Sequence, residues 1–89
     1  MAQAKGDPDA LERFAGSLQH CVDSLNQVVL HLKCAFRTLG ETWTDEKRAR
    51  FEEDFERLLE HVHRFSEDAE EQIPYLNKLA SRLRDYLQS

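Results

Sequence analysis

Helix breakers are scarce in these 89 residues: there are three glycines and two prolines, and Gly6 and Gly16 both fall within the first sixteen positions. β-branched residues are also few, and the two shortages together argue against a sheet. No apolar run approaches the roughly 20 residues of a membrane span. The stretch from Met1 to Asp9 lacks the apolar centre of a signal peptide. The expectation is a protein that stays in the cytosol, or leaves it by a route needing no cleaved leader. Basic residues are outnumbered, 12 Lys and Arg against 17 Asp and Glu, for a net charge of −5. Nucleic acid and anionic membrane surfaces both require clustered Lys and Arg, so neither is an expected partner, and membrane insertion is not expected. Cysteine is limited to Cys21 and Cys34. On one helix these lie about 20 Å apart at 1.5 Å per residue, too far for a disulfide or a shared zinc ion, so both read as ordinary reduced residues.

What the chain does have is two long amphipathic segments around the stretch Leu39-Gly40-Glu41-Thr42-Trp43-Thr44-Asp45. Residues 1–6 are expected to fray. Asp7-Pro8-Asp9 reads as a helix start, with Asp as N-cap, Pro at the first helical position and acid at the positive dipole end. Leu11, Phe14, Leu18, Cys21, Leu25, Val28, Leu32, Ala35 and Leu39 then follow in 3-4 alternation. A further column, Ala15, Val22, Val29 and Phe36, runs beside them at intervals of seven. Gly40 is the expected helix stop, in the left-handed conformation that spares only glycine a steric penalty. Thr42 or Thr44 is the expected cap of the next helix. Phe51, Phe55, Leu58, Val62, Phe65, Ala69, Gln72, Leu76, Leu79, Leu83 and Tyr86 repeat the 4-3 rule, flanked by Leu59, Ser66, Ile73, Ala80 and Leu87.

These patterns predict an all-α chain. It forms one antiparallel helix-turn-helix hairpin, with a helix over about 8–39, a turn over about 40–44 and a helix over about 45–88 kinked near Pro74. Three apolar positions per heptad is wider than a two-stranded seam needs. That width suits a helix with two neighbours, so the hairpin is expected to dimerise into a four-helix bundle. Folded back, the first helix should end opposite about residue 77, leaving the stripe from Leu76 to Leu87 in want of a partner. Trp43 in the connection is either a plug over the bundle end or a recognition residue at its tip.

Motifs for chemistry are weak. Glu60 and His63 match the Glu-x-x-His of di-iron bundles, but Leu58, Leu59, Val62 and Phe65 mark the inner face and put that pair outside. Ser17, His20, Asp23 and Ser24 have the residue types of a hydrolytic triad on an exposed helical face, without a pocket or oxyanion hole. No enzyme activity, cofactor or metal is expected.

The central Trp43, the aromatic Phe51 eight residues on and the two heptad-patterned arms together resemble the small WXG proteins of type VII secretion, the early-secreted-antigen type. The resemblance spans about residues 9–88. It implies a hairpin that pairs as a homodimer or a paralogous heterodimer. It also implies a non-catalytic role as a secreted factor, or as carrier of a larger secreted effector to the export machinery. Two features depart from the pattern: Asp45 stands where the family has Gly, and the tail signal, Tyr with an acid four residues on, is missing. Tyr75 has Leu79 at that position, and Tyr86 lies three residues from the last. The chain would then travel with a signal-bearing partner, or would never be exported. Trp43, Asp45 and Phe51 are the expected turn motif and partner-recognition residues. Leu18, Leu25, Val29, Phe36, Phe55, Leu58, Val62, Phe65, Leu76, Leu79, Leu83 and Tyr86 are the expected dimer or partner interface. The alternative is a cytosolic chaperone or adaptor that binds a toxin or effector helix to helix. A type III needle subunit, also a small hairpin, would need a Pro-rich turn that this sequence lacks.

Overall fold

The computed structural model describes residues 6–88, so the expected fraying falls outside it for residues 1–5. Two helices account for nearly all of this span: α1, Pro8–Leu39, and α2, Glu46–Gln88. They pack antiparallel as a hairpin measuring 67 × 21 × 14 Å. Among the described residues there is no strand.

Local chemistry sets the start of α1. Asp7 sits in an extended conformation, and its Oδ1 accepts the Asp9 N–H at 2.9 Å while Pro8 occupies the first turn. One of the orphan N–H groups of the helix start is thereby satisfied, and proline removes another. α2 continues through Pro74, whose side chain is exposed.

Only part of each apolar surface turns inward. On α1 the residues drawn out of solvent are Leu11, Ala15, Leu18, Val22, Leu25, Val29 and Phe36. On α2 they are Phe55, Leu59, Val62, Ser66, Ala69, Ile73, Leu76, Ala80 and Leu83, with Leu79 half-buried beside them. Among the described residues only Ala15, Val22, Ser66, Ala69 and Ala80 are buried fully. Four of these five are small, which lets the helices approach closely, because interaxial distance follows side-chain size. Two helices cannot enclose more than such a seam.

The pairing register differs from the expected one. Phe36 stacks on Phe55 at a 4.8 Å centroid distance. At the open end Arg84 reaches across to α1, with Nη1 donating to Glu12 Oε1 at 2.6 Å and Nη2 to Asp9 Oδ1 at 2.8 Å. Glu12 first and Asp9 second raise the guanidinium pKa above its ordinary value, because both hydrogen bonds favour the charged form. α1 therefore does not run out opposite residue 77. The first turns of α2 project past the end of α1, and that offset carries the cover along to Arg84. Leu76, Leu79 and Leu83 are half-buried within one chain, while Tyr86 and Leu87 remain exposed.

Arg84→Ala is expected to loosen only this open end. Hydrogen exchange should speed up in the first turn of α1 and the last turns of α2, and stay unchanged near Trp43. High salt should have the same effect on the wild type, since the pair is partly exposed and screened.

Candidate functional site

Two features of the hairpin face outward in ways its own folding does not explain: an apolar face along its length and an aromatic turn at one end.

The face follows from helical geometry. At about 100° per residue, positions seven apart drift by only about 20° and keep one side of a helix. On α1 the column beside the seam is Phe14, Cys21, Val28 and Ala35; on α2 it is Phe51, Leu58, Phe65, Gln72, Leu79 and Tyr86. In an antiparallel pair these two columns lie on the same side of the seam. Cys21 and Leu25 of α1 accordingly share an open apolar groove with His61, Val62 and Phe65 of α2. The exposure is large for such residues: Phe14 is 60% exposed, Leu58 58% and Phe65 47%. Scattered apolar side chains on a surface are ordinary, but a contiguous rank of them marks an interaction surface.

The residues expected at an interface thus divide by position. Leu58, Phe65 and Tyr86 stand on the exposed columns. Leu18, Leu25, Val29, Phe36, Phe55, Val62, Leu76 and Leu83 are half-buried along the seam, where they hold the two helices together, and Leu79, on the outer column, is half-buried beside them. Cys21 and Cys34 are free thiols on the surface.

The turn brings Trp43, Asp45 and Phe51 together. The Trp43 ring lies 5.9 Å from Phe51, which continues to Phe36 at 6.0 Å and Phe55 at 6.3 Å. Arg48 lies over Phe36, 5.6 Å from the ring centroid, a cation–π contact. Asp45 caps α2. Its Oδ1 accepts from Lys47 N at 2.9 Å and Arg48 N at 3.3 Å, and from the Trp43 indole N–H at 3.0 Å. The expected threonine cap is therefore corrected: Thr42 instead donates its hydroxyl to the Leu39 carbonyl at 3.3 Å, and Asp45 wins because one carboxylate oxygen serves three donors.

Gly40 is corrected as well. It is right-handed, with φ −62° and ψ −18°, and α1 winds down through turns in which Glu41 N bonds Thr38 O and Thr42 N bonds Leu39 O, each at 3.1 Å. Glycine leaves room there for the end of the flexible Arg48 side chain, which would have to shift for a larger residue. A Cβ at Gly40 would come within 2.8 Å of Arg48 Cζ and 3.2 Å of the Arg37 carbonyl oxygen.

A graded series tests the double role of Asp45. Asp45→Ala should cost about 1 kcal/mol for the cap and about 1 kcal/mol more for the indole bond. Asp45→Gly should lose mainly the indole bond, since glycine is a tolerable cap. Asp45→Asn keeps an acceptor for both. Thermal unfolding should rank Asn above Gly above Ala, and the near-ultraviolet dichroism of Trp43 should change in the Gly and Ala variants alone.

The residues that hinted at chemistry do not converge. Glu60 and His63 are exposed, and His63 Nε2 lies against Glu67 Oε1. Asp23 accepts from Gln19 Nε2 at 3.0 Å, while Ser17, His20 and Ser24 are exposed. Among the described residues no three His, Cys, Asp or Glu side chains are grouped to hold a metal ion, and no helix is long and apolar enough to cross a membrane.

No known family profile matches the chain, and no curated protein sequence does. Solved structures do match. The secreted protein EsxB of Bacillus anthracis, in its selenomethionine-labelled form, superposes with a TM-score of 0.81 at 22% identity, covering 97% of this chain and 98% of its own. A wild-type crystal form of EsxB gives 0.80 at 23% identity, covering 94% and 97%. A point mutant of the same protein gives 0.80 at 22%, covering 96% and 98%. At that identity the likeness is one of fold, and over nearly its whole length the chain shares the helical hairpin of the secreted protein EsxB.

Proposed function

We propose that the chain is a non-catalytic protein of the WXG type VII secretion class, exported or serving as a carrier, that works by pairing its hairpin with a second one. The observation that supports this most is the double column of exposed apolar residues at heptad spacing on one side of the seam. Laid face to face, two such surfaces form a four-helix bundle with each column packed between two neighbours. A standard interface takes about 800 Å² per partner, and a face 67 Å long and 21 Å wide has room for it. The second hairpin is another copy of this chain or a paralogue. The turn, with Trp43 held by Asp45, and the exposed end at Leu87 remain at the tips for a larger effector or the export machinery.

Disabling the type VII system of the native bacterium, where a signal-bearing partner is also made, tests the role. Appearance of the protein in the medium, dependent on that system, is the expected result. Retention inside the cells in a complex with one larger chain would overturn it and favour the chaperone or adaptor reading.

A further inference from the structure

The side of the hairpin away from the apolar columns has a concavity of its own. An open groove of about 620 Å³ runs between the helices there, floored by Val29, Phe36, Phe55 and Leu59. Its α2 wall carries Glu52, Glu56 and Glu60, spaced four apart on one helical row, with His63 and Arg64 at the far end of the groove, and none of the three glutamates has an ion pair among the described residues. The α1 wall, Asn26 and Lys33, is neutral to basic. Ser66 also lines the groove; it is 6% exposed, and its hydroxyl has no hydrogen-bond partner among the described residues. Buried polar groups are normally satisfied, so this one marks a floor left incomplete in the isolated chain. Leu30 adds to this. Val28 faces the apolar columns and Val29 the seam, so Leu30, one step further round α1, rises on the groove side, 63% exposed.

We infer that this groove docks an amphipathic helix of another protein, with apolar side chains on the Val29–Phe55 floor and against Leu30, and Lys or Arg along the flank facing α2. The carboxylate row sets both the class of partner and its orientation. It repels nucleic acid and anionic lipid, which leaves a basic helix as the occupant. Because the groove and the apolar columns lie on opposite sides of the seam, the groove stays open whether or not the apolar face is paired.

The probe is a synthetic helical peptide of about 18 residues (about 27 Å), with Leu at i, i+3, i+4 and i+7 and Lys along one flank. A second peptide with the same leucines and a Glu flank is the control. In fluorescence anisotropy the Lys-flanked peptide should bind at least about tenfold tighter. Glu52→Lys, Glu56→Lys and Glu60→Lys together should reverse that order, and Leu30→Glu should weaken the Lys-flanked peptide, both without changing the solution mass of the protein. Phe65→Asp should leave binding intact. Equal affinity for the two peptides would mean a charge-blind apolar site and would overturn the inference. So would an order that the triple variant leaves unchanged, or binding that Phe65→Asp abolishes. A change of mass in the triple variant would show a second copy of this chain in the groove, which would also overturn it. Failure of the hairpins to pair is read separately, from the mass alone.

Discussion

Phe65→Asp is expected to sediment as a single 10.4 kDa chain while keeping the helical content of the wild type. Phe65 lies outside the seam, 47% exposed, at the middle of the apolar face beside Cys21 and Leu25. The hairpin loses little by the change, because the helices are held by the column one step inward. A two-fold dimer loses it twice. Full burial of a phenylalanine contributes about 1.5–3 kcal/mol, and each copy would also place a carboxylate in an apolar interface with no partner. Together these exceed about 4 kcal/mol, so association should weaken by about a thousandfold or more. The measurements are sedimentation for mass and far-ultraviolet dichroism for helix. Loss of both together would mean that Phe65 holds the hairpin itself.

Val22→Asp is expected to do the opposite and abolish folding. Val22 is fully buried at the centre of the seam. Its loss removes about 1.5–3 kcal/mol of burial, and an unpaired carboxylate there costs several kcal/mol more. Domains of this size have only about 5–15 kcal/mol in hand, and a two-helix seam lies at the lower end. Val28 is the informative control. It is six residues on in the sequence but on the exposed column, 52% exposed. Val28→Asp should keep the helical signal and shift only the mass. Thermal melts of the two variants therefore test which column faces which neighbour.

That division was not legible in the sequence, although the fold was. The unbroken 3-4 spacing from Leu11 to Leu39 and from Phe51 to Tyr86, with one central break, left an antiparallel helical hairpin as the economical answer, and the structure has that architecture. With three apolar columns per helix, however, spacing alone does not say which pair turns inward. The signal that decides it is size. Ala15, Ser66, Ala69 and Ala80 are small, and the seam they mark is where the backbones approach. Apolar content alone favours Phe14, Leu58 and Phe65, which instead face out.

The turn shows the same limit. Thr42, Thr44 and Asp45 all satisfy the residue preference for a helix cap. The choice falls to a tertiary detail, the Trp43 indole N–H two residues before Asp45, which adds a third donor to one carboxylate oxygen. Gly40 likewise fits a left-handed stop by type, yet it is right-handed, with Arg48, eight residues away, packing over it and onto Phe36. The coverage of Leu76, Leu79 and Leu83 depended on pairing register. That register is fixed by Phe36 meeting Phe55 and Arg84 meeting Glu12, neither of which helix lengths disclose.

Sedimentation equilibrium of the wild-type chain over a wide range of concentrations tests most directly whether the apolar face exists to pair two hairpins. The predicted result is a mass of two chains, about 21 kDa from the 10.4 kDa monomer, stable on dilution to the micromolar range expected of a specific interface. A mass of one chain at every concentration, with helix intact, would contradict self-pairing and would mean that the face is covered by a paralogue or by a different protein.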